Sequence, residues 1–405
     1  MANTILTPTM ITRETGVILK NSLQFGRNVS RKYDDRFAAS GAKIGSTLDV
    51  RIPPRYLVTK AEALSIQDST ETKRTLTVGY AHVGLEFTMN DLLLSINDFS
   101  QQFLNSAVAA LANQIDLDGA QRYEDVFNLV GTIGGGAPTA LSTYLTARAK
   151  LIEEATPQDN NWTMAINAVM EEKIIDALKG LFQSDRQLQK QYEEGQMMRA
   201  IGFNWITDMN MFVHTTGTRD NTTPVTNGAN QTGSSLICDG FDATVTIKKG
   251  DVFTIAGMNA VNPQSRQDTG RLRQFVVTAD VTADGSGNAT LSIYPPISAS
   301  GKDQTVTALV GDGTTIVFNG ASASLTGAQG LAFQREAFSL TMVDQELPEG
   351  VHFAGRITGD DAKAWNIALR LVRQYDINSN KIPARLDAVY GWLTARPELA
   401  CRITT

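Results

Sequence analysis

Cysteine and histidine are nearly absent from this chain of 405 residues, which holds two of the first (Cys238, Cys401) and three of the second (His82, His214, His352). Two widely separated thiols supply neither a disulfide framework nor metal-ligand spacing. The three histidines fall on three different segments, so no zinc set and no nucleophile–base pair is expected from spacing. An apolar run of about twenty residues is also missing, and with it a membrane span. The opening MANTILTPTMITRE has no basic region followed by a continuous apolar core, so no secretory signal is expected. There is no P-loop, no Rossmann glycine fingerprint after a strand, no HExxH and no nucleophile elbow. These absences predict a protein that is not an enzyme and holds no cofactor or metal.

Weaker patterns have plain explanations. Asp280, Asp284 and Asn288 form a loose set of oxygen ligands, yet an Asp-Gly hairpin corner accounts for them equally. Gly134, Gly135 and Gly136 lack the strand-then-helix frame of a phosphate loop and read as a connector. The sequons at Asn161 and Asn221 carry no meaning in an unsecreted chain.

What is present is core material. With 42% hydrophobic and 19% charged residues, the chain is globular, and its length predicts two or three compact units. Charge is unevenly spread. Residues 1–60 hold ten basic against four acidic side chains, a net +6, which leaves −12 for the rest of a chain of net −6. Such an arm suits nucleic acid, an acidic neighbouring copy, or plain solvation.

Along the chain, 1–47 reads as an extended arm with one modest helix around 11–25. Alternating apolar residues predict strands over 46–60 and 73–89, with the polar stretch 61–72 between them, making a long antiparallel hairpin. Pro53-Pro54 suits an edge or bend. An isolated ribbon is marginal in water, so the hairpin should lie on something, most simply a neighbouring subunit. A short helix is expected at 91–96. The spacing of Phe99, Phe103, Ala107, Leu111 and Ile115, widened by Leu104, Val108 and Ala112 and extended by Val126 and Val130, predicts one long amphipathic helix over 98–130. Gly119 inside it suggests a bend. Helices follow at 139–154 and 165–181, then strands in 192–217.

Between about 218 and 330 the composition shifts to Gly, Thr, Asn, Ser and Asp. Short alternating bursts, FDATVTIK, DVFTIAG, RQFVVTAD, NATLSIY and TTIVFNG, predict an inserted all-β module. One apolar face would come from Val245, Ile247, Val252, Ile255, Val276, Leu291, Ile293, Ile316 and Phe318. The ends of the module should lie close together. Strand patterns return in 331–355 and 381–403.

The order of parts, with SAVAALANQIDL, EEGQMMRAIGFNWITDMN, FDATVTIKKGDVFTIAGMNAVNP and VYGWLTARPELACRI, resembles the P22-like major capsid (coat) protein family of tailed bacteriophages. The resemblance implies an α+β, HK97-like capsid fold. Its parts would be an N-terminal arm (1–45), an extended loop (46–89), a spine helix with peripheral domain (90–150), a first axial part (151–217), an inserted β-barrel-like domain (218–330) and return strands (331–405). The function it implies is self-assembly into the icosahedral head enclosing double-stranded DNA; the rival readings are another phage structural protein, such as a tail or decoration component, and a carbohydrate-active or binding enzyme using the β module as a platform. The implied partners are other copies in hexamers and pentamers, a scaffolding protein, a portal protein and packaged DNA, with no membrane. The implied place is the virion, after assembly in the host bacterial cytoplasm. Phe103, Val108, Leu111 and Ile115 would form the core face of the spine. Lys60, Glu62, Lys73 and Arg74 would meet a neighbouring subunit, and Arg27, Arg31, Lys32 and Arg36 would line the interior.

Overall fold

The computed structural model describes residues 23–32, 47–64, 66–68, 71–88, 105–178, 199–219, 223–320, 322–356 and 368–405. They group into two bodies, one from within 1–50, 73–119 and 338–393, the other from within 51–72, 120–337 and 394–405.

The first elements among the described residues are a 3-10 turn, Gly26–Asn28, and the strands β1 (Thr47–Ile52), β2 (Thr72–Thr77) and β3 (Gly79–Thr88). The segment 73–89 is therefore not one strand. β2 pairs with β1, whereas β3 pairs along its whole length with the late strand of residues 381–390. The break has a steric cause: a Cβ built on Gly391 would lie 2.4 Å from the carbonyl oxygen of Thr77, so the backbones cross there at a spacing only glycine permits.

α1 (Asn105–Ala120) follows. Its described part spans roughly 24 Å at about 1.5 Å per residue, and it ends at Ala120, short of the expected 130, because 121–125 tightens into a 3-10 turn and Val126 is extended. The run 126–130 is needed elsewhere, as β4 (Leu129–Val130) joins a sheet. Val108, Leu111 and Ile115 are buried, as the stripe predicts; Phe103, the expected short helix at 91–96 and most of the expected helix at 11–25 lie outside the described residues. Gly119 marks a close approach, since a Cβ there would sit 2.4 Å from Cζ2 of Trp392. The same indole donates through Nε1 to the Ile115 carbonyl. Asp116, buried in this helix, accepts the backbone N–H groups of Gln24, Phe25 and Gly26 at 2.6, 3.2 and 2.8 Å. It fastens the turn whose Phe25 packs on Phe338 and Trp392.

Next come α2 (Leu141–Glu153), β5 (Trp162–Ile166) and α3 (Ala168–Leu178). The third helix begins later than expected because Ala165 and Ile166 belong to β5. Asn167 provides the start, accepting the Met170 N–H at 2.8 Å. β6 (Arg199–Ala200), β7 (Phe203–Thr207) and β8 (Val213–Thr215) lead into the insertion.

The insertion holds β9 (Val225–Thr226), β10 (Gly233–Asp239), β11 (Thr246–Ile247), β12 (Val252–Val261), β13 (Asp268–Val277), β14 (Val281–Thr282), β15 (Ala289–Ile297) and β16 (Ile316–Phe318). Six strands run in the order β16-β12-β13-β15-β10-β9, and the Val225–Thr315 bridge returns the last to the first. The result is a closed barrel. Phe253, Phe275, Ile255, Leu291, Ile293 and Ile316 fill its interior. Val252 and Val276 do not join them; they point outward and pack with Phe127 and Leu129 of the host.

The chain ends with β17 (Thr326–Gln334), β18 (Phe338–Met342), β19 (Phe353–Arg356), β20 (Arg370–Arg373), β21 (Lys381–Thr394) and β22 (Ala400–Thr404). In the first body β21 carries β18, β20 and β3, with β19 beyond β20. In the second body a mixed sheet runs β4-β22-β17-β5-β7-β6, with β8 also on β17. Tyr144 and Leu151 of α2 and Met170 and Ile174 of α3 cover its core of Trp162, Met164, Phe203 and Ile403.

Candidate assembly surfaces

Two places in the second body stand apart from ordinary packing. The first is the loop between β1 and β2. None of its described residues from 53 to 71 is buried, yet it carries Tyr56, Leu57, Val58, Leu64 and Ile66, with Val58 89%, Leu64 88% and Ile66 86% exposed. Gln67 straps the loop across its width: its Oε1 accepts the Leu57 N–H at 2.8 Å and its Nε2 donates to the Leu57 carbonyl at 2.5 Å. The loop is thus ordered locally while its apolar side chains face water. Apolar side chains grouped on one exposed loop are unusual for the surface of a monomer.

Of the four residues expected at this contact, Lys60 and Glu62 are exposed on the loop. Lys73 is in the stem and is taken: its Nζ lies 2.6 Å from Asp49, whose carboxyl the bond holds below the ordinary range. Arg74, half-buried, is also in the stem. In the arm, Arg27 and Lys32 are exposed and Arg31 is half-buried, while Arg36 lies outside the described residues.

The second place is the joint between barrel and host sheet. Asp251, fully buried at the start of β12, accepts from His214 Nε2 at 3.0 Å, from the Lys248 N–H at 3.1 Å and from the Gly217 N–H at 3.3 Å. Arg219 Nε stands 3.6 Å away. Burial alone would raise the carboxyl's pKa, but the His214 bond, the Arg219 charge and the Lys248 N–H together hold it down. Because a carboxylate only accepts, Nε2 of His214 carries the proton and Nδ1 accepts from Tyr123 Oη at 3.2 Å. His214 is therefore neutral, its pKa lowered first by burial and then by Arg402, against the pull of Asp251.

Arg219 ties the two ends of the insertion together, donating to the carbonyls of Gly320 at 2.8 Å and Asn319 at 2.9 Å. Beside it the Thr216 N–H reaches the Leu325 carbonyl at 2.9 Å, so the ends are adjacent. Arg402, fully buried in β22, donates to the Gly250 carbonyl at 2.6 Å and to Gln329 Oε1 at 2.9 and 3.0 Å. Its guanidinium lies 5.0 Å from the centre of the Tyr123 ring, and burial lowers its pKa to about 10. At the far side of the joint Arg273 pairs with the buried Glu154 at 2.5 Å. Such buried groups are costly when a partner is lost, so the joint penalises poses of the barrel that leave them unpaired.

Sequence reasoning missed Asp251, Arg219 and Arg402. One signal was readable, an arginine in the otherwise apolar run ACRI, which marks a charge that must find buried partners. The weak oxygen-ligand pattern dissolves: Asp284 closes its own turn onto Ser286 and Asn288, and Asp280 accepts the Lys249 N–H. His82 and His352 are exposed. No group of His, Cys, Asp and Glu suited to a metal occurs among the described residues, and no described helix is long and apolar enough to cross a membrane.

A family model described as "P22 coat protein - gene protein 5" matches residues 64–403. No curated protein matches the chain. Similar solved structures include one from Mycobacterium phage Che8, with a TM-score of 0.49 at 11% identity over 94% of this chain and 90% of that one. The capsid of the cyanophage P-SCSP1u gives 0.43 at 10% over 89% and 83%. The procapsid of satellite phage P4, which includes the size determination (Sid) protein, gives 0.41 at 7% over 97% and 90%. The assignment rests on the family match, and the α+β build is consistent with the HK97-like fold that the sequence resemblance implies.

Proposed function

The chain belongs to the P22 coat protein family and is the major capsid protein of a tailed-phage head shell; we propose that its copies join through the tip of the loop between β1 and β2. The observation that carries this reading is the uncovered apolar set on that loop, Tyr56, Val58, Leu64 and Ile66. Burying one such aliphatic side chain is worth about 1.5–3 kcal/mol, and a shell repeats the contact at every subunit. Lys60 and Glu62 border the set and contribute steering and register. Lys73, already paired with Asp49, and Arg74, set in the stem, belong to the loop's support.

Identical copies meeting through unlike surfaces close into rings, so hexamers and pentamers are the units of the shell. A scaffolding protein and a portal protein are the further partners, assembly takes place in the host bacterial cytoplasm, and maturation is a rigid-body rearrangement. Arg27, Arg31, Lys32 and Arg36 contact packaged double-stranded DNA through phosphates, without base specificity and with strong salt dependence. This role asks for no catalytic step.

Electron microscopy of the purified protein beside a Val58→Asp/Ile66→Asp double variant tests it. The native protein should give shells or capsomer rings; the variant should keep its far-UV circular dichroism and give neither. Normal shells from the variant would remove the loop contact, and tubes or fibres from the native protein would remove the shell.

A further inference from the structure

The loop that bears the apolar side chains has no buried residue among its described positions, so something outside it must set its pose. Its two arms each meet the rest of the second body. On the returning arm, Nζ of Lys302, in the barrel turn between β15 and β16, donates to the Asp68 carbonyl at 2.7 Å. On the outgoing arm, the Arg55 guanidinium stands 3.8 Å from Glu398, which Arg396 Nε holds at 3.2 Å. Arg266, in the turn between β12 and β13, bonds the Lys302 carbonyl, so two turns at one end of the barrel brace each other. Between these points the Gln67 strap makes the loop a single piece. Arg55 and the Asp68 carbonyl thus meet the loop's own chain, while Tyr56, Val58, Leu64 and Ile66 stay exposed.

We propose that the inserted barrel is the holder of the extended loop: through Lys302, with Arg55 and Glu398 as the second anchor, it fixes the pose in which the loop offers its apolar side chains to a second copy. This rests on the loop contact proposed above. It gives the insertion a part in assembly that depends on one end of the barrel. Partly exposed pairs of this kind are individually weak, so the held loop can still adjust when a neighbour arrives.

The test compares the native chain with Lys302→Met and Lys302→Arg as unassembled subunits. Lys302 lies at a turn outside the barrel core, so both variants should melt with the native protein. Trypsin cleavage after Lys60, followed by fragment mass, should be at least about fivefold faster in Lys302→Met and near native in Lys302→Arg, in proportion to the open fraction of the loop. The rate of shell formation by light scattering should fall with Lys302→Met and recover with Lys302→Arg. Unchanged cleavage in Lys302→Met overturns the holder. Faster cleavage with native assembly also overturns it, because the pose would then be irrelevant to association. Failure of the native protein itself to form shells would count against the coat reading, and the cleavage comparison would still decide whether the barrel holds the loop.

Discussion

Nε2 of His214 lies 3.0 Å from Oδ1 of Asp251, a bond from the host strand β8 to the turn that leads into the barrel strand β12. Around the imidazole stand Asp251, Tyr123, Arg402 and Glu124, with Arg219 on the far oxygen of the carboxylate. Two of these neighbours are cations, and the ring is buried, so a second proton is unwelcome.

The folded His214 therefore titrates below its ordinary value of 6.5, and the unfolded chain binds more protons as pH falls through that value. Stability should drop from about pH 6.5 downward, at a rate bounded by about 1.4 kcal/mol per pH unit for one proton. Asp251, titrating below its ordinary 3.8, contributes no slope in this window. Urea midpoints at pH 7.5, 6.5 and 5.5 should decline in the native protein and stay flatter in His214→Gln. Equal slopes would show that this histidine is protonated when folded.

Gly119→Ala should be more damaging than glycine-to-alanine usually is in a helix, where alanine is the better former. The new Cβ would meet the Trp392 ring at 2.4 Å, and overpacking of this kind costs about 1–3 kcal/mol. Chemical denaturation should show the loss, and Gly119→Ala with Trp392→Leu should lose less than the two single changes added together.

Asp116→Ala removes the acceptor of three backbone N–H groups. A hydrogen bond to a charged group contributes about 1.5–3 kcal/mol net of the water it replaces. The turn Gly26–Asn28 should come free, and trypsin should cut after Arg27 faster than in the native protein, with the barrel's melt unchanged. A native cleavage rate would show that the packing of Phe25 and the Ser30 pairing with Phe338 and Leu340 fasten the turn without the carboxylate.

Leu111→Asp or Val108→Asp places a carboxylate at a position almost closed to water. The cost of several kcal/mol exceeds what a marginally stable body can absorb, and the subunit should be insoluble. Recovery of normal shells from either variant would show that this face is not core.

A fragment of residues 215–327 should fold alone. It keeps the complete interior of the barrel and the Arg219 tie to Asn319 and Gly320. It loses His214, and with it one partner of Asp251. Dispersed amide signals and a cooperative melt are expected, at a lower midpoint than that of the barrel within the chain. A collapsed spectrum would show that the joint with Phe127 and Leu129 is a condition of folding.

The strands of the insertion, the buried stripe of α1 and the family were legible in the residues themselves. Alternation with period two and a stripe with period 3.6 are local consequences of backbone geometry, readable wherever one face must leave water. That is why Ile247, Ile255, Leu291 and Ile316 were placed inside the barrel, and Val108, Leu111 and Ile115 in the core. Local pattern could not show that Val252 and Val276 turn outward to Phe127 and Leu129, that 126–130 leaves the helix to form β4, or that Thr77 crosses Gly391 and divides a continuous strand pattern. Each depends on a surface supplied by a distant part of the chain. The same holds for Asp116 and Gln24, 92 residues apart, and for Arg402 and Gly250, 152 apart. Composition decided that there was a core and which faces would enter it; the fold decided which buried charge meets which carbonyl, because a group that has left water must be satisfied by whatever tertiary packing brings within about 3 Å.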